Sequence, residues 1–249
     1  MKKLIPLLLV LAATLPARAQ DEEKHPSETS KTYHHARQRT TTPPYGIEKI
    51  RALLPKMKAV PDKDNEDAGT EGLSATVYSS LSLREKFTYN MIHGEPYFQN
   101  CDINMPSFDE EKKIFGELPG VFGEENWSDR QRKFFKDNKD SVIGLIRESI
   151  GRTHYVGLNY KQTLVDINAT EMIPFLVDFY KQQRKDHDIL TVLLLLMLNN
   201  NYPPFMSSQS FNKLYAKGVI RYEAYLAGNT ANQDLIMQRA TDFYNGLQH

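Results

Sequence analysis

Apolar residues recur along much of the chain at intervals of three and four, the spacing that gathers them on one face of an α-helix. Leu83, Phe87 and Met91 are spaced by four in "SLSLREKFTYNMI", with Ser80 or Ser82 as the N-cap. "SFDEEKKIFGEL" predicts a helix capped by Ser107, with Asp109, Glu110 and Glu111 at its positive end. "WSDRQRKFFKDN" repeats the device with Ser128 and Asp129. In "DSVIGLIRESI", Val142, Leu145, Ile146 and Ile150 share a face. No run alternates apolar and polar residues, and β-branched residues do not cluster, so a mainly parallel sheet is excluded and the expected fold class is all-α.

The most ordered pattern runs from Tyr160 to Asn199 and parses into three helices. The first ends near Ile167. Thr170 is placed to cap the second, and Pro174 falls in its first turn, where a missing N–H costs little. Met172, Phe175, Leu176 and Phe179 form its buried stripe. The third, Ile189 to Leu198, is apolar all round and is expected at the centre of the domain. Asp166, Asn168, Ile173, Pro174, Leu176, Asp186 and Asp188 give the segment 163–198 a pattern that resembles one unit of a HEAT-type helical repeat. The resemblance implies an α-α superhelix, which presents long surfaces to protein partners; the alternative is an irregular helical bundle. Ile236, Ala240, Phe243 and Leu247 line a last helix that would close the stack.

The amino-terminal third reads differently. Residues 1–19 have a basic start (Lys2, Lys3), an apolar run from Leu4 to Leu15 and a small-x-small site at Ala17-Arg18-Ala19, the features of a cleaved secretory leader. Residues 20–46 carry no apolar face and are expected to form a disordered arm. A short helix, 47–59, has Ile47, Ile50, Leu53 and Leu54 on one side. Residues 60–77, rich in acids, Gly and Pro, read as a linker, and the all-α domain is expected over 78–249.

Charge and cysteine content narrow the functional classes. The chain has 31 basic and 31 acidic residues; loss of Lys2, Lys3 and Arg18 with the leader leaves 28 basic. That balance argues against a nucleic-acid binder and against a polybasic membrane-surface protein. Neither apolar run reaches the length of a membrane span. A single cysteine, Cys101, allows no intrachain disulfide. The expected location is periplasmic or extracellular.

Candidate chemistry centres on "NMIHGEPYFQNCDI", which holds His93, Glu95, Cys101 and Asp102. His93-Gly94-Glu95 supplies half of a zinc-deaminase pattern, but its paired cysteines cannot exist here. A thiol nucleophile would need a histidine such as His93, His154 or His187. The plainer reading is a helix stop: Gly94 and Pro96 end a helix, and His93 meets its last carbonyls. "DKDNEDAGTEG" fails the calcium-loop pattern in either register. "KDHD" (185–188) is read as helix capping rather than metal binding, and His34-His35 lies in the arm without fixed geometry. Phosphate loops, nucleophile elbows and dinucleotide fingerprints do not occur. No cofactor or metal is expected. The sequence thus points to a non-enzymatic protein-binding or scaffold module of the cell envelope. The alternatives are a metal-assisted hydrolase built on His93, Glu95, Cys101, Asp102 and His154, and a glycan binder using the late tyrosines Tyr222 and Tyr225.

Overall fold

The computed structural model describes residues 25–65, 67–99 and 105–248. The expected leader, Cys101 and Asp102 lie outside the described residues. In chain order the elements are α1 (Glu28–Gln38), α2 (Ile47–Leu53), β1 (Lys58–Pro61), β2 (Ala68–Gly72), α3 (Ala75–Ser80), α4 (Leu83–Ile92) and β3 (Pro96–Phe98). They continue with β4 (Lys113–Phe115), α5 (Asp129–Asp137), α6 (Lys139–Thr153), α7 (Leu158–Asp166), α8 (Ile173–Gln183) and α9 (His187–Asn199). α10 (Pro203–Met206), α11 (Gln209–Tyr215), β5 (Tyr225–Ala227) and α12 (Thr230–Gly246) complete the described chain. The fold is mostly helical, with two small antiparallel sheets that the all-α expectation omitted.

The core is built around α9. Ile189, Leu190, Val192, Leu193, Leu194, Leu196 and Met197 are all at most 1% exposed, as expected for a helix without a polar face. α7, α8, α12 and β4 pack around it. Each removes apolar area from water, contributing about 1.5–3 kcal/mol per fully buried large side chain. Several caps match the sequence. Ser82 accepts the Glu85 N–H while Glu85 returns a bond to the Ser82 N–H, and Ser128 and Gln131 do the same at α5. Val142, Leu145, Ile146 and Ile150 all point into the core.

Two predicted caps are not formed. No helix starts at Ser107: Asp109 adopts a left-handed backbone with φ 49°, a single 3-10 turn follows at Glu110–Lys112, and the chain becomes β4. The Glu110 side chain turns inward and accepts the Ser107 N–H at 2.9 Å. Thr170 begins a 3-10 turn, Thr170–Met172, rather than capping α8 with its side chain.

The largest departures are in the amino-terminal third. The stretch expected as an acidic linker instead holds the end of β1, all of β2 and the start of α3, and β1–β2–β3 is an antiparallel sheet. The acids and glycines of that segment serve the turn and the close approach of strands. Asp62 Oδ1 accepts the N–H groups of Asp64 and Asn65 at the β1–β2 turn. A Cβ on Gly69 would sit 2.4 Å from the Tyr97 hydroxyl and 2.7 Å from the Val60 carbonyl. A boundary at residue 78 is not seen either. Ile50, Leu73, Leu81 and Tyr89 form a second small core. α4 joins it to the first, sending Phe87 and Met91 one way and Tyr89 the other.

The expected disordered arm contains α1. Ser27 caps it by accepting the Ser30 N–H. Its buried residues, Ser30, His34 and Arg37, have the spacing of an apolar stripe, yet all three are polar. The helix is ordered by charge and hydrogen-bond partners on the body, which composition alone does not reveal.

Candidate functional site

His93 and Glu95 are brought together, at the end of α4, but as structural groups. α4 stops at Ile92, and His93 takes an extended backbone with φ −149° and ψ 130°. The ring does not reach back to the helix carbonyls as expected. Its Nε2–H donates to the Glu71 carbonyl in β2 at 2.7 Å, and Nδ1 lies 3.4 Å from Glu125. Gly94 is required by a close approach: a Cβ there would lie 2.6 Å from the Asn126 carbonyl oxygen.

The Glu95 carboxylate is buried and saturated. Tyr89 donates its hydroxyl at 2.9 Å, Ser128 donates at 2.5 Å, and Arg130 Nε lies 2.9 and 2.8 Å from the two oxygens. Arg130 Nη2 adds a further bond to Glu95 and also reaches the Leu73 carbonyl at 2.6 Å. Gln131 accepts the Glu95 N–H and donates to the His93 carbonyl at 2.8 Å. Burial pushes the Tyr89 phenol well above its usual range, so it remains a donor at neutral pH. With four side-chain donors on its two oxygens, Glu95 ties β2, α4 and α5 together, and no lone pair is left for a metal or a substrate.

The other site candidates do not join this cluster. His154 ends α6 in a left-handed conformation with φ 50°, exposed, without a hydrogen bond or ion pair to His93 or Glu95 among the described residues. In "KDHD", Asp186 occupies the cap position of α9 but makes no cap bond; it accepts from Lys161 Nζ at 2.7 Å. Asp188 binds Arg37 at 3.0 Å. Charge pairing, rather than capping, is their role. Among the described residues no group of three or more His, Cys, Asp or Glu is placed to hold a metal ion.

Sequence reasoning missed a buried polar cluster under α1. Arg37 bridges Glu110 at 2.9 Å and Asp188, and its guanidinium carbon lies 4.1 Å over the Phe115 ring. His34 Nδ1 meets both Glu110 oxygens at 3.0 and 3.1 Å. Glu111 accepts from the Ser30 hydroxyl at 2.8 Å. Tyr33 receives the His187 N–H at 3.1 Å, and burial pushes its phenol far above the ordinary range. The detectable signal was the helical spacing of Ser30, His34 and Arg37, a stripe of donors rather than of apolar groups.

His187 is enclosed beside this cluster. Its Nδ1–H donates to the Lys113 carbonyl at 2.9 Å, and Nε2 faces the Gln233 amide at 3.4 Å. Burial lowers its pKa below the ordinary 6.5, more than the carbonyl and nearby acids raise it. In the unfolded chain the ring gains its proton near pH 6.5, whereas the folded ring gains it only at lower pH. The unfolded state therefore binds more protons on acidification, and stability falls as pH drops below about 6.5. One such group contributes at most about 1.4 kcal/mol per pH unit. The difference between native and His187→Asn unfolding curves, measured from pH 7 to pH 5, should show this slope in the native protein only. Parallel curves would refute the assignment.

The late tyrosines divide. Tyr215 is buried and donates to the Gly116 carbonyl at 2.8 Å. Tyr222 and Tyr225 are 70% and 39% exposed, and Ile220 beside them is 52% exposed. Lys113 and Lys213 flank the Tyr225 ring, their Nζ atoms 4.4 and 5.6 Å from its centroid. No helix among the described residues is long and apolar enough to cross a membrane. No protein-family model, curated protein or solved structure matches this chain.

Proposed function

We propose that the protein is an exported, non-enzymatic binding module of the cell envelope that engages an acidic protein partner through the face formed by Ile220, Tyr222 and Tyr225. The observation that carries this reading is the exposure of those three side chains together on one short segment. Large apolar side chains exposed together mark interaction sites more often than they mark ordinary surface, and Tyr is enriched in binding hot spots. Lys113 and Lys213, whose Nζ atoms flank the Tyr225 ring, give that edge of the face a basic character suited to carboxylates. The buried helix α9 packs against β4, which pairs with β5, so the face stands on a rigid base. The saturated Glu95 weighs against a hydrolase at the His93–Asp102 stretch.

The test is cross-linked co-purification of the tagged mature protein from its own envelope. Native protein should retain one partner at near-stoichiometric amount. The pair Ile220→Asp and Tyr222→Ala, both at exposed positions, should lose it by at least about tenfold, a change of about 1.4 kcal/mol, with an unchanged melting temperature. Equal capture by the variant removes this face. Retention on polysaccharide that vanishes with Tyr222→Ala would replace the protein partner by a glycan.

A further inference from the structure

A recess of about 590 Å³ opens between the β1–β2 hairpin, α3 and the start of α5. That volume is in the range of small-molecule sites, which are largely apolar with a few placed polar groups. Leu53, Val60, Leu73 and Val77 give it an aliphatic lining, and Lys56, Lys58 and Arg130 bring cations to it. Lys58 pairs with Gly72 and Val60 with Thr70, so strand alternation puts these four positions on one face of the sheet. Gly72 leaves that face open onto Arg130: a Cβ there would sit 3.2 Å from Nη2 and 3.1 Å from Glu95 Oε1.

The charges of the recess do not cancel. Among the described residues Glu95 is the one carboxylate in its lining, and its oxygens are already taken by Tyr89, Ser128 and Arg130. Arg130 is fixed through Nε and Nη2, while its Nη1 has no hydrogen-bond partner among the described residues and 34% of the side chain is exposed. Neither Lys56 nor Lys58 has an ion pair among the described residues. The acids of the neighbouring elements are turned away or matched. Glu71 alternates to the opposite face of β2 and lines a separate recess with Ala59 and Tyr97. Asp62, Asp64 and Asp67 belong to the turn at the other end of the hairpin from Lys58 and Gly72. On α2 and α4, Glu48 is paired with Arg51 and Glu85 with Lys49; α3 carries no charge, and Asp129 is exposed outside the lining. Three cations thus meet one carboxylate.

We propose that this recess binds an organic monocarboxylate with an aliphatic body, its carboxylate set among Lys56, Lys58 and Arg130. Glu95, the Leu73 carbonyl and the Tyr78 ring, 4.5 Å away, already hold the guanidinium, so an incoming carboxylate meets a preorganised donor in Nη1. The two lysines supply the net positive charge that Glu95 removes from Arg130, and a cleft lined by one sign of charge concentrates the opposite one. The aliphatic walls take the body out of water. An amine of the same shape would meet two unmatched cations, and an alcohol would gain no charge pairing. The proposal does not depend on the partner face, and loss of partner capture would leave it standing.

The experiment uses the full mature protein and four probes: hexanoate, 1-hexanol and hexylamine, which share a body, and acetate, which lacks it. Affinities come from NMR titration followed at the amides of Lys58, Thr70, Leu73 and Val77, so that binding elsewhere is not counted. Hexanoate should bind at least about tenfold more tightly than each of the other three. The pair Lys56→Glu and Lys58→Glu, both at exposed positions, should weaken hexanoate at least about tenfold and leave 1-hexanol unchanged, while the pair Lys56→Arg and Lys58→Arg should keep hexanoate binding. Thr70→Trp, at the exposed centre of β2, should fill the recess and remove hexanoate and 1-hexanol alike. Should the glutamate pair fail to fold, the probe ranking and Thr70→Trp decide. Equal affinities of hexanoate and 1-hexanol, preference for the amine, acetate binding as tightly as hexanoate, hexanoate binding unchanged by the glutamate pair or by Thr70→Trp, or no shift of these amides at millimolar hexanoate would each overturn the proposal.

Discussion

Arg37→Ala is expected to destabilise the protein by about 3–5 kcal/mol, the usual cost of removing one partner from a buried charged network. The Arg37 side chain is 10% exposed and makes three contacts within 3.1 Å with Asp188, plus one at 2.9 Å with Glu110. Without it, two carboxylates face each other's field in a low-dielectric site, with His34 as the nearest remaining partner of Glu110. Folding stabilities of small domains are about 5–15 kcal/mol, so the loss is a large fraction of the total. The deficit should depend on pH in a defined direction. Carboxylates left unpaired by burial have folded pKa values above their unfolded ones, so they oppose folding increasingly as pH rises. The gap between native and variant should therefore narrow on acidification. Urea titrations at pH 7 and pH 5 measure both effects, and hydrogen exchange should show α1 losing protection first. A deficit under about 1 kcal/mol at pH 7 would mean that the bridge is solvated and that α1 is held by other contacts.

This dependence on charge explains what was legible. The apolar periodicity located α9, the buried face of α6 and the Pro174 start of α8, because those elements are ordered by removing apolar area from water, a local property of the sequence. α1 has no such signature. Its inward residues are Ser30, His34 and Arg37, and their partners Glu110, Glu111 and Asp188 lie 73 to 151 positions away for the bonds they make. No local window contains both halves. The same limit applies to the β1–β2 hairpin, whose Asp62 and Gly69 look like solvated linker until the register places Gly69 against Tyr97. Likewise, "SFDEEKKIFGEL" has helical composition, but burial of Glu110 beneath α1 takes the first turn out of helical geometry. The candidate site was legible only in part. That His93 ends a helix was visible from Gly94 and Pro96, whereas the charged partner of Glu95, Arg130, comes from α5, 35 residues on, and gave no sign in the sequence.

Glu95→Ala should be the second large effect, at about 2–4 kcal/mol. It is somewhat smaller than Arg37→Ala because the stranded cation, Arg130, keeps 34% of its side chain exposed and can turn partly to water. Tyr89 cannot: its hydroxyl would lose its acceptor at a fully buried position between α4 and α5, while the partly buried Ser128 would lose its acceptor as well. Glu95→Gln separates structure from chemistry. It preserves volume but replaces an acceptor oxygen with an NH2 group facing the donors of Arg130, so a structural clamp loses stability nearly as much as with alanine. A catalytic carboxylate would show the reverse, an unchanged melting temperature with lost activity. A double-mutant cycle of Glu95→Ala with Arg130→Ala tests the pair directly, and a coupling of about 1.5–3 kcal/mol is expected for a charge-assisted, doubly hydrogen-bonded contact. Coupling near zero would mean that Arg130 is held by its bond to the Leu73 carbonyl and by the Tyr78 ring, 4.5 Å away. In that case the carboxylate would be free to serve something other than the fold.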